Sequence, residues 1–204
     1  MPVSTMPREQ DLMPDHANEM LNAADPVCFA VLGSGVQATA ISKLGLAKLQ
    51  VGSEKPDRWF LMALELTPPR PLEEVEFDSI SYAWLAPGEW LVTGPTKHVD
   101  GIRQHCSEMA GTGGLMTDLT HGRTVLEVSG SDARWILGSH CPIDLDHVAM
   151  PVGTACRTLF SDIGIFISRR PDRDANPCFR LIFDHTMTDY VTRLLEATIT
   201  GEAR

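Results

Sequence analysis

Alternating apolar positions at Tyr82 and Trp84, then at Trp90 and Val92, are separated by Ala86-Pro87-Gly88-Glu89. Proline presets the turn and glycine accepts positive φ, so a β-hairpin is predicted here. Gly94-Pro95-Thr96 then opens a helix with proline in its first turn, and Val99, Ile102, Cys106 and Met109 recur on one face. A further strand is predicted from Arg123 to Val128. Gly130-Ser131-Asp132 ends it and starts a helix through Ala133, Ile136 and Leu137, which Pro142 stops. From Arg157 to Arg170 two strands are broken near Asp162, the second marked by Ile163, Ile165 and Ile167. Asp172 to Pro177 reads as a turn, and Phe179, Leu181 and Phe183 as the next strand. The last helix has the strongest pattern. Thr186 is its expected cap, Asp189 completes a capping box, and Met187, Tyr190, Val191, Leu194 and Leu195 form its apolar stripe.

The order strand-strand-helix thus occurs twice, at 81–109 and 163–199, with a strand-helix unit between. The predicted class is α+β: a two-layer sandwich of mostly antiparallel sheet and helices with ferredoxin-like pseudo-repeats. Upstream, residues 67–75 (TPPRPLEEV) form a break, since three prolines interrupt both helix and ladder. Residues 1–25 carry five acids (Glu9, Asp11, Asp15, Glu19, Asp25) against Arg8 alone, a composition too polar to offset ordering entropy. They read as a flexible acidic tail. Residues 26–204 read as one domain, with 26–115 and 116–204 as candidate subdomains.

With 204 residues, 43% of them hydrophobic, the chain is long enough to bury a sizeable core. Its formal charge of -10 argues against nucleic acid or an anionic membrane surface as partner, because phosphates would be repelled. Met1 to Asp25 has no apolar h-region behind a basic start, and no segment approaches the ~20 apolar residues of a membrane helix. A cytoplasmic location is the expectation. Five cysteines at irregular spacing, with no CxxC pair, read as reduced thiols rather than a disulfide framework.

Four constellations invite a chemical reading. Gly33-Ser34-Gly35-Val36-Gln37-Ala38 follows the apolar run Val27 to Leu32 and mimics a dinucleotide fingerprint, with Glu54 about 20 residues on. The segment from Thr39 to Val51 lacks a helical stripe, however, so a glycine turn leading into a strand is expected. His140, Cys141, His147 and Cys156 are zinc-type ligands without zinc-type spacing, and no metal site is assigned. Asp118, His121, Asp184 and His185 are acid-base candidates, but adjacent Asp184 and His185 would point apart in an extended chain. Thr120 and His121 are expected to bond local backbone, with Gly122 permitting the turn into the next strand. Arg169, Arg170 and Arg173 read as a solvated loop or as an interface for an acidic neighbour. No catalytic residue is assigned, and cofactor-binding residues stay open.

Over residues 117–145 the sequence TDLTHGRTVLEVSGSDARWILGSHCPIDL resembles the gamma-subunit family of heterotetrameric sarcosine oxidase. That pattern has a D-[LI]-[ST]-H start, a strand, a G-x-D-A-R turn and a C-P-[LI]-D-L ending. Trp84 to Val92 is similar to the family's W-L-x-P-x-E-W-L hairpin, Gly153 to Thr158 to one of its later strands, and Phe179-Arg180-Leu181 with the following helix to its close. The resemblance covers about residues 81–199. It implies a fold like the folate-binding domain of aminomethyltransferases. It also implies a non-flavin accessory role beside alpha, beta and delta subunits in a complex that demethylates sarcosine, with tetrahydrofolate accepting the one-carbon unit. FAD, FMN, NAD, tetrahydrofolate and zinc would then belong to the partner subunits, and none to this chain. Trp84, Trp90 and Trp135 are expected in core or interface. The alternatives are a stand-alone folate-binding or one-carbon-transfer protein with Asp118 or Glu127 near the pterin, or a subunit of a related N-methyl amine demethylase.

Overall fold

The computed structural model describes residues 30–33, 35–52, 56–108 and 113–201, and of residues 30–32 the backbone alone. The acidic tail of residues 1–25, Glu54 and Met109 lie outside them. Two short strands, β1 (Ala30–Gly33) and β2 (Val36–Ala40), precede β3 (Leu44–Val51) and helix α1 (Pro56–Leu64). Then come β4 (Glu74–Phe77), β5 (Ile80–Ala86), β6 (Glu89–Pro95), α2 (Thr96–Glu108), β7 (Gly114–Asp118) and β8 (Arg123–Ser129). The chain closes with α3 (Ala133–Gly138), β9 (Ala155–Phe160), β10 (Ile163–Arg173), β11 (Asn176–Asp184) and α4 (Thr188–Thr200).

The strands form a six-stranded sheet in the order β1-β2-β8-β11-β10-β9 and a five-stranded sheet in the order β4-β5-β6-β3-β7. Every pairing is antiparallel. Side chains alternate across each strand, and here both faces are covered. Leu126, Val128, Leu181, Phe183 and Ile167 of the six-stranded sheet pack under Ile136, Leu137, Val191 and Leu195 of α3 and α4. Leu49, Tyr82, Trp90 and Val92 of the five-stranded sheet pack under Trp59, Phe60 and Val99 of α1 and α2. The intervening residues Leu46, Ala83, Leu91, Val125, Phe166 and Ile182 meet between the sheets. The α+β antiparallel class is therefore observed, with the helix-on-sheet unit present twice, sheet face to sheet face.

The hairpin at Ala86 to Glu89 forms as its turn residues require, with Gly88 at φ 76°. Elsewhere the local reading needs correction. The turn placed at Asp172 to Pro177 narrows to Asp174-Ala175, both at positive φ, because β10 and β11 extend the ladder to Arg173 and Asn176. Thr186 does not cap the last helix. Asp184 accepts from both the Thr186 N–H and its hydroxyl, a 3-10 turn follows, and Thr188 starts α4. Met187 and Tyr190 consequently lie at the exposed margin, while Val191, Leu195 and Thr198 form the buried face. Helix α1 and strands β4 and β7 have no counterpart in the sequence reading. Phe60 of α1 packs edge-on to Trp90 at 4.7 Å between ring centroids, and the Trp90 indole donates to Pro69 O at 3.3 Å. The proline-rich break thereby supplies an acceptor to a buried tryptophan.

Candidate functional site

The space between the sheets is not wholly apolar. Glu127 sits in mid-strand on the inward face of β8 and is 6% exposed. Its Oε1 accepts from Arg180 Nη2 at 2.8 Å and Nε at 3.2 Å, and its Oε2 accepts from Arg173 Nη2 at 2.8 Å. Arg170 donates to Glu74 at 3.0 Å, to Glu76 at 2.6 Å and to the Ser81 hydroxyl at 3.1 Å. Burial works against the Arg170 charge, but Glu74 and Glu76 outweigh it and hold its pKa above the ordinary value. Arg169, 5% exposed, lies 5.2 Å from the centroid of the Phe179 ring and donates to Cys178 O and Asp172. The basic cluster is thus neither a solvated loop nor a free docking patch: strand alternation turns its members into ion pairs. Both Glu127 oxygens are engaged by arginines, in a carboxylate buried between the sheets.

At the other end of β8 the structure brings Arg123 to Asp184, with Nη1 to Oδ2 at 2.7 Å. Asp184 is committed to Arg123 and Thr186, whose hydrogen bonds hold its carboxyl below the usual range. Thr188 donates its hydroxyl proton to His185 O at 2.7 Å, so Thr124 donates to Thr188 at 2.7 Å and accepts from His185 Nδ1–H at 3.3 Å. His121 and His185 line one cavity of about 400 Å³ together with Lys43 and Thr120. Asp118 faces the Thr120 N–H at 2.8 Å, a bond that lowers its pKa. The Thr120 hydroxyl reaches across to Leu46, accepting from its N–H at 3.0 Å and donating to its carbonyl at 3.3 Å. The four acid-base candidates therefore come to one region, but no imidazole there is oriented by a carboxylate. The turn at Thr120–Gly122 is a 3-10 turn that does not need Gly122 at positive φ.

His140, Cys141, His147 and Cys156 do not converge on a metal, and among the described residues no group of His, Cys, Asp and Glu could hold one. Cys141 and Cys156 pack in the core beneath α3, where burial, and then the neighbouring Cys156, push the Cys141 thiol up to about 12. His147 lies in an exposed loop against Asp146. His140 joins two elements that the sequence gives no reason to connect. Thr198 donates to Leu194 O, so it accepts from His140 Nε2–H at 2.8 Å, which leaves Nδ1 to accept from Ser161 at 2.9 Å. Protonation would force the second bond to reverse, with Ser161 Oγ as acceptor, and burial lowers the His140 pKa from 6.5. The unfolded chain binds this proton more readily, so the stability contributed by neutral His140 is complete above pH 6.5 and drains as pH falls below it. Thermal unfolding between about pH 7.5 and 5.5 is expected to show a decline in Tm that is smaller in His140→Gln, which cannot titrate.

The profile of the sarcosine oxidase, gamma subunit family matches residues 56–199. The chain belongs to that family. A sarcosine oxidase subunit gamma of Arthrobacter sp. is 29% identical over 121 residues, covering 57% of this chain and 59% of that one. A sarcosine oxidase subunit gamma of Corynebacterium sp. (strain P-1) is 34% identical over 89 residues, covering 42% of each. The chain thus aligns with about half the length of these gamma subunits. The heterotetrameric sarcosine oxidase of Corynebacterium sp. U-96 in complex with pyrrole 2-carboxylate contains a chain with TM-score 0.70 at 19% identity, covering 86% of this chain and 89% of that one. Aminomethyltransferase T of the Bartonella henselae glycine cleavage system gives 0.58 at 12% identity over 80% of this chain and 46% of that one. Both likenesses are of fold. The gamma-family match begins upstream of the resemblance at 81–199 and takes in α1 and β4. Of the gamma-family tryptophans, Trp90 is buried and Trp84 packs beside it, while Trp135 is 65% exposed.

Proposed function

We propose that this chain is the non-flavin accessory subunit of a heterotetrameric sarcosine oxidase-like complex, docking on alpha, beta and delta subunits that oxidatively demethylate sarcosine, with tetrahydrofolate as one-carbon acceptor. The family match over residues 56–199 carries the reading. FAD, FMN, NAD, tetrahydrofolate and zinc belong to the partners, the complex works in the cytoplasm, and residues 26–204 act as one unit. In support of a single unit, β1 and β2 from the first part of the chain complete the sheet built by β8 to β11. In support of docking, Trp135 on α3 and Val148, 77% exposed, lie on segments tied together by the Arg134 Nε–H donating to Leu145 O at 2.9 Å. Large apolar side chains presented in this way suit burial by another subunit. No helix among the described residues is long and apolar enough to cross a membrane.

Co-expression of the tagged chain with the candidate flavoprotein subunits tests the assignment. Recovery of a complex with flavin absorbance is expected; recovery of a lone monomer would overturn it. Trp135→Ala is expected to weaken the assembled complex by about 30-fold, measured by concentration-dependent sedimentation. Specific micromolar binding of tetrahydrofolate to the isolated chain would instead favour a folate-binding protein.

A further inference from the structure

The two sheets are stitched along one side. Glu74 N–H donates to Gly153 O at 2.7 Å, and Ala155 N–H to Leu72 O at 2.9 Å. Farther along β9 the sheets part around a cleft of about 640 Å³. Leu91 of one sheet and Phe166 and Ile182 of the other form its buried apolar floor. The register sets Arg157 opposite Phe166 and Leu159 opposite Gly164, so Arg157 and Leu159 share the cleft-facing side of β9. A Cβ added to Gly164 would meet nothing within 4 Å, which marks open space at that wall.

The charges around the cleft nearly cancel. Lys48 pairs with Glu89 at 3.5 Å, and Arg123 with Asp184 at 2.7 Å. Arg157 remains, with no hydrogen-bond or ion-pair partner among the described residues. One surplus guanidinium above an apolar floor, in a volume typical of small-ligand pockets, sets the chemistry the cleft can recognise. We propose that the cleft binds a small amphipathic monocarboxylate, its apolar body on Leu91, Phe166 and Ile182 and its carboxylate on the Arg157 fork. A phosphate dianion would leave a charge uncompensated, because the other two cations are already paired. An uncharged ligand would gain nothing from the exposed Arg157 guanidinium.

The test is calorimetric titration of the 204-residue chain with octanoate and, separately, with octanol. Octanoate is expected to bind at one site and octanol at least tenfold more weakly, as the loss of a charge-assisted hydrogen bond implies. Arg157→Gln should reduce octanoate binding to the octanol level. Gly164→Leu, whose side chain enters open space, should abolish both with an unchanged circular dichroism spectrum and Tm. Octanoate binding that is absent, or equal in the three proteins, overturns the proposal. So does a cleft that takes no octanoate while both substitutions prevent recovery with the flavoprotein subunits, which would make it a subunit contact. Assembly of the complex is measured separately, so failure here leaves the accessory-subunit reading standing.

Discussion

Glu127→Ala is expected to lower the unfolding free energy by about 3–5 kcal/mol, a loss on the order of 10 °C in Tm for a chain of this size. The carboxylate is the shared acceptor of Arg180 and Arg173, and Arg180 is itself almost enclosed between the sheets. Removing the acid leaves the desolvated Arg180 guanidinium, among the described residues, with only the Thr93 hydroxyl at 3.5 Å. The cost is that of an orphaned buried charge, not the worth of the pair, so Glu127→Leu combined with Arg180→Met should cost much less than Glu127→Ala alone. Asp184→Ala, which breaks the exposed pair with Arg123, should leave stability nearly unchanged apart from its effect on the turn before α4. Urea unfolding followed by circular dichroism checks the three. A midpoint for Glu127→Ala equal to that of the parent would mean that water reaches the network and would sink this account.

The same network shows what a sequence can and cannot disclose. Apart from β7, the strands between 81 and 184 were readable because period-two apolar positions alternate with turn residues, and the turn chemistry is local. Glu127, inside Val125-Leu126-Glu127-Val128, is a charge in a strand covered on both faces, and its partners stand 46 and 53 residues away. Nothing local predicts that pairing. Arg169 and Arg170 misled for the opposite reason: three arginines beside a turn look solvated until alternation on β10 directs Arg170 between the sheets and Arg169 over Phe179. Helix α1 was hidden because Trp59 to Leu64 is a continuous apolar run with no periodic stripe. Its buried side, Trp59, Phe60 and Ala63, is selected by the sheet beneath it, which leaves Leu61 and Met62 exposed. Of the proposed cleft, the sequence shows only the residues. Arg157 becomes distinctive when the pairing of Lys48 and Arg123 is known.

Gly130→Ala is the other substitution with a large expected effect, and it bears on the glycine motif. Gly35 stands at φ 91° in the turn between β1 and β2, and Gly130 at φ 130° in the turn between β8 and α3. Gly35 O accepts from Asp132 N–H at 2.9 Å, so the two turns lie back to back. A Cβ at Gly130 would fall 2.2 Å from Gly35 O and 2.8 Å from Val36 Cα, both backbone atoms that cannot swing aside. Backbone strain at that φ adds to the clash, and together they should cost about 3 kcal/mol or more. Ser131→Ala, which removes only the long, exposed contacts of its hydroxyl to Gly35 O at 3.4 Å and Asp132 Oδ1 at 3.3 Å, should be almost neutral. The fall for Gly130→Ala should appear as a lower urea midpoint with an unchanged slope, since it changes stability rather than the surface exposed. Glycine at 35 therefore answers to the close approach of two turns, and glycine at 33 to Ile199 of α4, whose Cγ2 lies 2.4 Å from where a Cβ would fall. In a dinucleotide fold the second glycine admits a pyrophosphate, whereas here the space beside Gly35 holds Ser131 and Asp132. A carboxylate beside Gly35 would repel a phosphate brought to that turn, and the stability of Gly130→Ala measures how tightly the two turns are packed.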